Sequence, residues 1–276
     1  MTPIVLKQEV EKCLHDNILP FWLKFQDEEN GGFYGRMKGD GTLVKDANKG
    51  CILNARILWS FSAAYRVTGR SEYLAAATRA KDYILEHFID PLYGGAFWEL
   101  DCLGQPVDTK KQFYAIGFCI YGLTEYVRAI SEHFDAKQSN TMQIALRTAV
   151  ALYESIEEHS FDEVHNGYIE ACTREWNEMA DMRLSDLDAN YPKSQNTHLH
   201  IIEPYTSTVA SRNLLQRMKQ DGWFLLKCIQ GWNVPSAISL TSFAIGYSTQ
   251  TLIILTFSLK WTGRVVLAGW RATGMT

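Results

Sequence analysis

The sequence lacks several features that would place it in a common class of protein. Its 276 residues carry a net charge of −4, so it has no excess of positive charge for binding nucleic acid. The opening residues, MTPIVLKQEVEKCLHDN, contain charges and no apolar run, which argues against a signal peptide. The apolar run at 253–259 is too short for a membrane span. We therefore expect a cytoplasmic protein with neither a nucleic-acid partner nor a membrane partner.

Closely spaced cysteine pairs of the Cys-x-x-Cys type are also missing. The six cysteines are widely scattered along the chain: Cys13, Cys51, Cys102, Cys119, Cys172 and Cys228. Without such spacing we interpret them as the reduced thiols of a cytoplasmic protein.

The C-terminal quarter is short of two residue types. Residues 207–276 contain no histidine and a single acidic residue, Asp221, whereas the first 206 positions hold the other 30 acidic residues. At the earlier density, about ten acidic residues would be expected here. This stretch is rich in Ser, Thr, Leu and Ile and shows no clear helical period. We therefore predict a first domain at 1–206 and an atypical tail at 207–276.

The sequence does contain a repeat made of a turn, a short strand and two helices. The turns read Asn30-Gly31-Gly32, Tyr93-Gly94-Gly95 and Asn166-Gly167. Apolar helices are predicted at 49–67, 109–130 and 195–203, and more polar helices at 71–88 and 138–158. The apolar helices align on leading lysines that are 62 and then 82 residues apart: Lys49, Lys111 and Lys193. Periods of this size indicate stacked copies of one supersecondary unit.

The alternation of apolar and polar helices predicts an inner and an outer ring, because a helix that is apolar all round must be covered on both sides. The third and seventh positions after each lysine share one helix face. The third positions are Ile52, Tyr114 and Asn196, and the seventh are Arg56, Phe118 and His200. We predict that this face lines a central pocket. Arg56 could instead form a buried ion pair, and Tyr114 could be an ordinary core residue.

The stretch 193–203 permits three interpretations. As a helix it places Asn196, His200 and Glu203 on one face, while His198 points elsewhere. That face could be a set of structurally satisfied polar groups, or an acid–base or sugar-binding site. As a strand, the stretch would make His198 and His200 a metal-binding pair, but no third ligand lies nearby in the sequence.

Several motifs resemble the N-acylglucosamine 2-epimerase family over about residues 4–206. The matching segments are GGFYGRM, LNARILWSFSAAYRVTG, YGGAFWELD, KKQFYAIGFCIYGLTEY and, most specifically, NTHLHIIEPYT. The resemblance implies an all-α fold, an (α/α)6 barrel of helical hairpins. It implies an isomerase that epimerises C2 of the reducing-end sugar of a β-1,4-linked disaccharide such as cellobiose or mannobiose. It implies no cofactor and no metal, so the expected partner is the disaccharide itself.

The resemblance also assigns roles to individual residues. Arg56 would bind oxygens near C1 and C2 of the opened sugar, and His200 would assist ring opening or proton transfer. Asn196 would hydrogen-bond the substrate, Tyr114 would contact the sugar, and Trp98 is a further aromatic contact. The implied chemistry removes the C2 proton to give an enediolate, which a cation stabilises, and returns the proton to the opposite face.

The tail departs from the family pattern in the region where the family has its main catalytic histidines. The family places its two main catalytic histidines beyond the matched region, one in a Ser-Tyr-Gly-His-Asp-Ile-Glu motif, and residues 207–276 contain none. We therefore expect impaired epimerase activity. The alternatives are an aldose–ketose isomerase or N-acylglucosamine 2-epimerase of the same fold, and a non-catalytic carbohydrate-binding or helical scaffold protein.

We hypothesise that the tail is translated out of frame. Residues 272–276 can be encoded as GCT ACG GGC ATG ACA, and an adjacent frame of those bases reads Tyr-Gly-His-Asp, part of the missing motif. Sequencing the genomic DNA should therefore reveal a shift of frame near codon 206. A single uninterrupted frame, with no family-like reading in either adjacent frame, would contradict the hypothesis.

Overall fold

A computed structural model describes residues 2–131 and 138–210, together with three short strands beyond them. The chain divides into two compact units, Met1–Gly231 and Trp232–Thr276. The α-helices are α1 (Pro3–Cys13), α2 (Leu19–Leu23), α3 (Cys51–Thr68), α4 (Ser71–Tyr83), α5 (Phe113–Ser131), α6 (Gln138–His159) and α7 (Gln195–Ala210). A π-helical segment, Leu14–Ile18, joins α1 to α2, and another, Ile84–Phe88, extends α4.

The strands of the first unit are short and antiparallel. One sheet has the order β1 (Lys49–Gly50), β2 (Glu99–Leu100), β3 (Pro106–Asp108), and β4 (Lys111–Gln112) pairs with β5 (Ala171–Cys172). In the second unit, β6 (Ile238–Ser239), β7 (Phe257–Trp261) and β8 (Arg264–Ala268) form one antiparallel sheet. The rest of the predicted tail beyond α7 lies outside the described residues, so the boundary at 206 stays a prediction.

The predicted helices are present, and those predicted to start at 71, 138 and 195 do so, whereas the first two apolar helices start at Cys51 and Phe113 and not at 49 and 109. The first two leading lysines lie in strands, because Lys49 pairs with Leu100 and Lys111 pairs with Cys172. Each apolar helix therefore begins two residues after its lysine. The third, α7, continues through Pro204 to Ala210.

The helices pack as an inner and an outer layer. The apolar helices α3, α5 and α7 lie side by side, while α4 packs on α3 and α6 packs on α5. Of the 19 residues in α5, 16 are buried, as expected for a helix covered on all sides. Gly122 allows the close approach of α3, since a Cβ there would lie 2.8 Å from the carbonyl oxygen of Ala55.

The same turn precedes each inner helix. Isolated bridges close the three turns at Gln26–Phe33, Ile89–Ala96 and Phe161–Tyr168. Each turn contains two successive residues with positive φ: Gly31 and Gly32, Gly94 and Gly95, and Asn166 and Gly167. This backbone favours glycine or asparagine, which explains the repeated Gly-Gly and Asn-Gly in the sequence.

An ion pair ties each turn to the following inner helix. The lysine before the helix contacts the aspartate that opens the turn, with N–O distances of 2.7, 2.9 and 2.7 Å for Lys49–Asp27, Lys111–Asp90 and Lys193–Asp162. In every case the other carboxylate oxygen accepts two backbone N–H groups of the turn. We call these contacts the Asp–Lys pairs. The side chains of the first two pairs are completely buried.

Burial and pairing act in opposite directions on Asp90. Burial alone would raise the pKa of its carboxyl, but hydrogen bonds from Arg174 and Lys111 outweigh that effect and hold the pKa well below its usual range. Asp90 therefore stays ionised in the folded chain. The stability that it contributes is present above the unfolded-state pKa of about 3.9 and is lost as the pH falls further.

We predict that Lys49→Met strongly destabilises the protein. The substitution leaves the carboxylate of Asp27 buried without its cation, which typically costs about 3–5 kcal/mol. The control is Lys45→Met, which breaks an exposed pair with Glu29 at 2.9 Å and should leave stability nearly unchanged. Denaturant unfolding followed by tryptophan fluorescence measures both. Equal midpoints for the two variants would contradict a structural role for the Asp–Lys pair.

Candidate active site

The hairpins fix the N-terminal ends of the inner helices. The N–H of Cys51, the first residue of α3, donates to the carbonyl of Trp98 at 3.0 Å. The N–H of Phe113, the first residue of α5, donates to the carbonyl of Glu170 at 3.1 Å. In both cases, the hairpin that follows the helix in the chain therefore binds the first residue of that helix. Side chains on the first turns of the inner helices gain fixed positions as a result.

Four side chains from three inner helices meet near the N-terminal ends of those helices. Arg56 of α3 donates to the hydroxyl of Tyr114 of α5 at 3.0 Å, and its guanidinium lies 4.5 Å from the ring centre of Phe118. The ring of His200 of α7 lies 4.5 Å from Tyr114, edge to face, and 4.9 Å from Phe118. We call these four residues the Arg56 cluster. Its seventh-position members, Arg56, Phe118 and His200, are the ones the repeat predicted to share a face.

A carboxylate orients His200. The Nδ1 of His200 lies 2.7 Å from Oε2 of Glu203, one turn further along α7. When Nδ1 carries the proton and donates it to this carboxylate, Nε2 presents a lone pair. Glu203 was predicted to share the face of His200, and the contact between them adds a defined chemical role. The ring can therefore accept a proton at Nε2 while Glu203 stabilises the resulting charge.

A second layer lies one turn below the cluster. Trp59 of α3 and Tyr121 of α5 are the residues three positions after Arg56 and Phe118, just as Glu203 follows His200, and their rings lie 5.2 Å apart. Burial raises the pKa of Tyr121 well above its usual range, and the negative charge of Glu203 raises it further. Tyr121 therefore stays neutral beneath the site.

His198 has a different role from His200. Its Nε2 accepts the backbone N–H of Tyr168 at 3.0 Å, and its Nδ1 contacts the carbonyl of Ser194 at 2.6 Å. Burial lowers its pKa, so it is a neutral core histidine that ties α7 to the third hairpin. Because this stretch is a helix, His198 and His200 point apart, and their interpretation as a metal-binding pair is wrong. Among the described residues no cluster of His, Cys, Asp and Glu could hold a metal ion.

The structure brings together only some of the predicted site residues. Arg56, Tyr114 and His200 are in the cluster, with Arg56 exposed and Tyr114 almost buried. Asn196 is exposed one turn before His200, and its side-chain amide makes no hydrogen bond to another described residue. Trp98 is not in contact with the cluster; its ring lies 5.0 Å from the ammonium of Lys110. The spacing of the repeat also identified the position of Phe118, but not its contact with Arg56.

The arrangement brings together a cation, a hydroxyl and an imidazole on otherwise apolar helices, with the cation of Arg56 exposed. A guanidinium and a phenol hydroxyl can both bind sugar oxygens, and an imidazole nitrogen can accept or donate a proton. None of the helices in the described part of the chain combines the length and hydropathy needed to span a bilayer.

Comparison with known proteins assigns the family. Residues 32–214 match the sequence profile of the N-acylglucosamine 2-epimerase (GlcNAc 2-epimerase) family. The chain belongs to this family. The match includes every residue of the Arg56 cluster and also Asn196, Trp98 and Glu203.

Individual relatives of this family are similar over the same part of the chain. A cellobiose 2-epimerase of Bacteroides fragilis is 56% identical over 204 residues, which are 74% of this chain and 50% of that protein. One of Ruminococcus albus is 41% identical over 198 residues, or 72% of this chain and 48% of that protein. The solved cellobiose 2-epimerase of Bacillus thermoamylovorans superposes with a TM-score of 0.70 at 37% identity, over 82% of this chain and 54% of that one. The chain therefore spans about half the length of the relatives that it matches.

The close approach of α5 and α7 gives a direct test of the cluster geometry. A Cβ at Gly117 would lie 2.5 Å from the carbonyl oxygen of His200, so Gly117→Ala must push α7 away from α5. We expect a loss of about 1–3 kcal/mol in unfolding free energy, typical of overpacking. Gly39→Ala is the control, since nothing lies within 4 Å of its Cβ position. If both variants unfold at the same denaturant concentration, α7 does not pack on α5 as described.

Proposed function

We propose that residues 1–206 form the first half of an (α/α)6 barrel of the sugar 2-epimerase kind. The proposed substrate is a β-1,4-linked disaccharide of the cellobiose or mannobiose type, whose reducing-end sugar binds at the Arg56 cluster. The observation that carries this proposal is the meeting of Arg56, Tyr114 and His200 from three repeats of the chain. An ordinary structural repeat would place apolar residues on this face of all three helices, because the inner helices are otherwise apolar.

The cluster suits an opened sugar. Ring opening gives an aldehyde, which makes the proton on C2 acidic, and deprotonation leaves negative charge on the oxygens of C1 and C2. The guanidinium of Arg56, held by Tyr114 and stacked on Phe118, is positioned to stabilise that charge. The Nε2 of His200 can accept or return a proton, because Glu203 holds the opposite ring nitrogen. The exposed amide of Asn196 is available for a further sugar contact, and Trp98, outside the cluster, stays a proposed aromatic contact.

The same residues supply only one side of the chemistry. Epimerisation needs one group to remove the C2 proton and a second group to return it on the opposite face. The family histidines that fill these roles have no counterpart in residues 207–276. We therefore propose that this chain binds the sugar with little or no turnover. A purely carbohydrate-binding role is the second candidate, and the exposed cation of Arg56 beside aromatic rings supports it equally well.

Two measurements with cellobiose in deuterated water distinguish sugar binding, epimerisation and the absence of both. Calorimetry should detect binding of cellobiose, while NMR should show slow or no deuterium incorporation at C2. Arg56→Ala should weaken binding by about tenfold or more, because hydrogen bonds to a charged group contribute about 1.5–3 kcal/mol. The control is Arg147→Ala, on an exposed face of α6. Absence of cellobiose binding would sink the proposed site, and exchange at an ordinary enzymatic rate would sink the proposed impairment.

A restored chain tests the role of His200. Replacing residues 207–276 with the second half of the cellobiose 2-epimerase of Bacteroides fragilis should recover turnover. In that protein, His200→Ala should lower kcat by about 10²–10⁴-fold if the ring transfers a proton. His165→Ala, at an exposed position in the third hairpin, is the matched control and should have no effect. A restored enzyme that is insensitive to His200→Ala would leave Arg56 as the only catalytic residue in this half.

A further inference from the structure

Trp176 has a backbone conformation that suits glycine. The three hairpins carry the same five-residue turn, in which the N–H of the first residue donates to the carbonyl of the fifth at 2.9, 2.8 and 2.9 Å: 38–42, 101–105 and 173–177. The fourth residue of each turn has a positive φ, which is 86° at Gly41, 88° at Gly104 and 66° at Trp176. For a side chain as bulky as indole this conformation is a genuine outlier, so other interactions must hold Trp176 in place.

The indole ring of Trp176 covers the turn of the preceding repeat. A Cβ at Gly95 would lie 2.6 Å from its Cη2, and its Nε1 donates to the carbonyl of Tyr93 at 2.8 Å. The ammonium of Lys111 lies 5.5 Å from the ring centre, and the imidazole of His159 stacks on the ring at 4.2 Å, with 12° between the planes. The ring therefore closes off the second Asp–Lys pair, whose side chains are completely buried.

A tyrosine of the outer helix α4 does the same for the first Asp–Lys pair. A Cβ at Gly32, the second glycine of the first turn, would lie 2.6 Å from the Cγ of Tyr83. The ammonium of Lys49 lies 4.9 Å from the centre of that ring, and His87 packs on it at 4.4 Å. His87 and His159 are equivalent, since each lies three residues before the aspartate of the next turn. Two different elements thus supply a ring to the same place, between a turn glycine, a lysine and a histidine, which we call the ring slot.

The residue that does not supply the ring is small in both repeats. The counterpart of Tyr83 in α6 is Ser155, because each lies four residues before the histidine. Each also faces the first glycine of the turn, whose Cβ position lies 3.4 Å from the ring of Tyr83 and 3.9 Å from the hydroxyl of Ser155. The counterpart of Trp176 is Gly104, where a Cβ would lie 3.1 Å from the hydroxyl of Tyr83. The exchange of tyrosine and glycine for serine and tryptophan therefore keeps one ring in each slot.

We infer that Trp176 is a positioning residue for the start of α5. It keeps water away from the buried ammonium of Lys111, which fixes where α5 begins. Its ring also stacks on Phe113, the first residue of α5, with the ring centres 6.1 Å apart. The next residue, Tyr114, belongs to the cluster, so Trp176 acts on the cluster through α5. The strained backbone is retained because α6 has Ser155 where α4 has a ring.

A double-mutant cycle tests whether the slot needs one ring from either source. Trp176→Gly suits the backbone but empties the slot, so it should lower the urea midpoint by about 1 M, as expected for the loss of a large packed side chain. Adding Ser155→Tyr should recover at least half of that loss, because the new ring reaches the slot from the helix as Tyr83 does. In the native chain the slot is full, so Ser155→Tyr alone should bring no gain. Circular dichroism follows every transition.

The matched control is Glu154→Tyr, which places the same ring one position away on the exposed face of α6 and should not rescue Trp176→Gly. An unchanged midpoint in Trp176→Gly would overturn the inference. So would an equal effect of Ser155→Tyr in both backgrounds. Should Trp176→Gly not fold, its combination with Ser155→Tyr decides instead, because a folded double variant supports the ring slot and an unfolded one contradicts it.

The consequence for the sugar rests on the proposed function and has its own measurement. By calorimetry, Trp176→Gly should bind cellobiose about three- to tenfold more weakly, the contribution of one hydrogen bond from a displaced Tyr114, and Ser155→Tyr should restore the affinity. Unchanged affinity would mean that the ring stabilises the repeat without positioning the cluster. A native chain that gives the stability pattern but binds no cellobiose contradicts only the proposed function. Cellobiose binding without the stability pattern contradicts only the ring slot.

Discussion

The Asp–Lys pair is the interaction on which each repeat depends. In the first two repeats it buries a cation and an anion together, which is costly unless every remaining donor and acceptor is satisfied. The turn supplies those partners. Two backbone N–H groups donate hydrogen bonds to the carboxylate. In two repeats the lysine ammonium donates a hydrogen bond to a carbonyl of the turn, that of Gly31 or that of Asn166. Since the turn geometry, the aspartate and the lysine are needed at once, each repeat can form in only one way. The start of the inner helix is fixed accordingly, two residues after the lysine.

This fixed start explains how repeats of unequal length build one site. Successive lysines are 62 and 82 residues apart, and half of this difference of 20 lies between aspartate and lysine, which are 22 and 21 residues apart in the first two hairpins and 31 apart in the third. The additional residues of the third hairpin form a loop between two anchored ends. Helix register, counted from the lysine, therefore does not change, and Arg56, Phe118 and His200 arrive on the same face. Loop insertions are tolerated because closing a longer loop costs little additional entropy.

Much of this arrangement could be predicted from the sequence, and the exceptions have physical reasons. The period of the apolar helices gave the shared face, so the grouping of Arg56, Tyr114 and His200 followed from counting. Counting residues along a helix predicts the direction in which each side chain points from the helix axis. It does not predict where residues outside the helices lie. Trp98 was a candidate from the family resemblance alone; it lies just before β2, outside the helices to which the counting applies, and its ring lies against Lys110. The contact of His200 with the carboxylate of Glu203 could have been predicted from the helix face that they share, since side chains at i and i+3 meet on a helix.

The geometry of the cluster is the physical reason for proposing that the first half of a barrel binds a sugar more readily than it epimerises one. Arg56, Tyr114 and His200 all project from adjacent inner helices, so they approach a ligand from one side. Binding needs only complementary donors and acceptors, which one side can provide. Inversion at C2 needs a base and an acid on opposite faces of a planar enediolate, and adjacent helices cannot place groups on both faces at once. In the proposed barrel, His200 can serve one face of the enediolate, so the group for the opposite face has to come from across the ring.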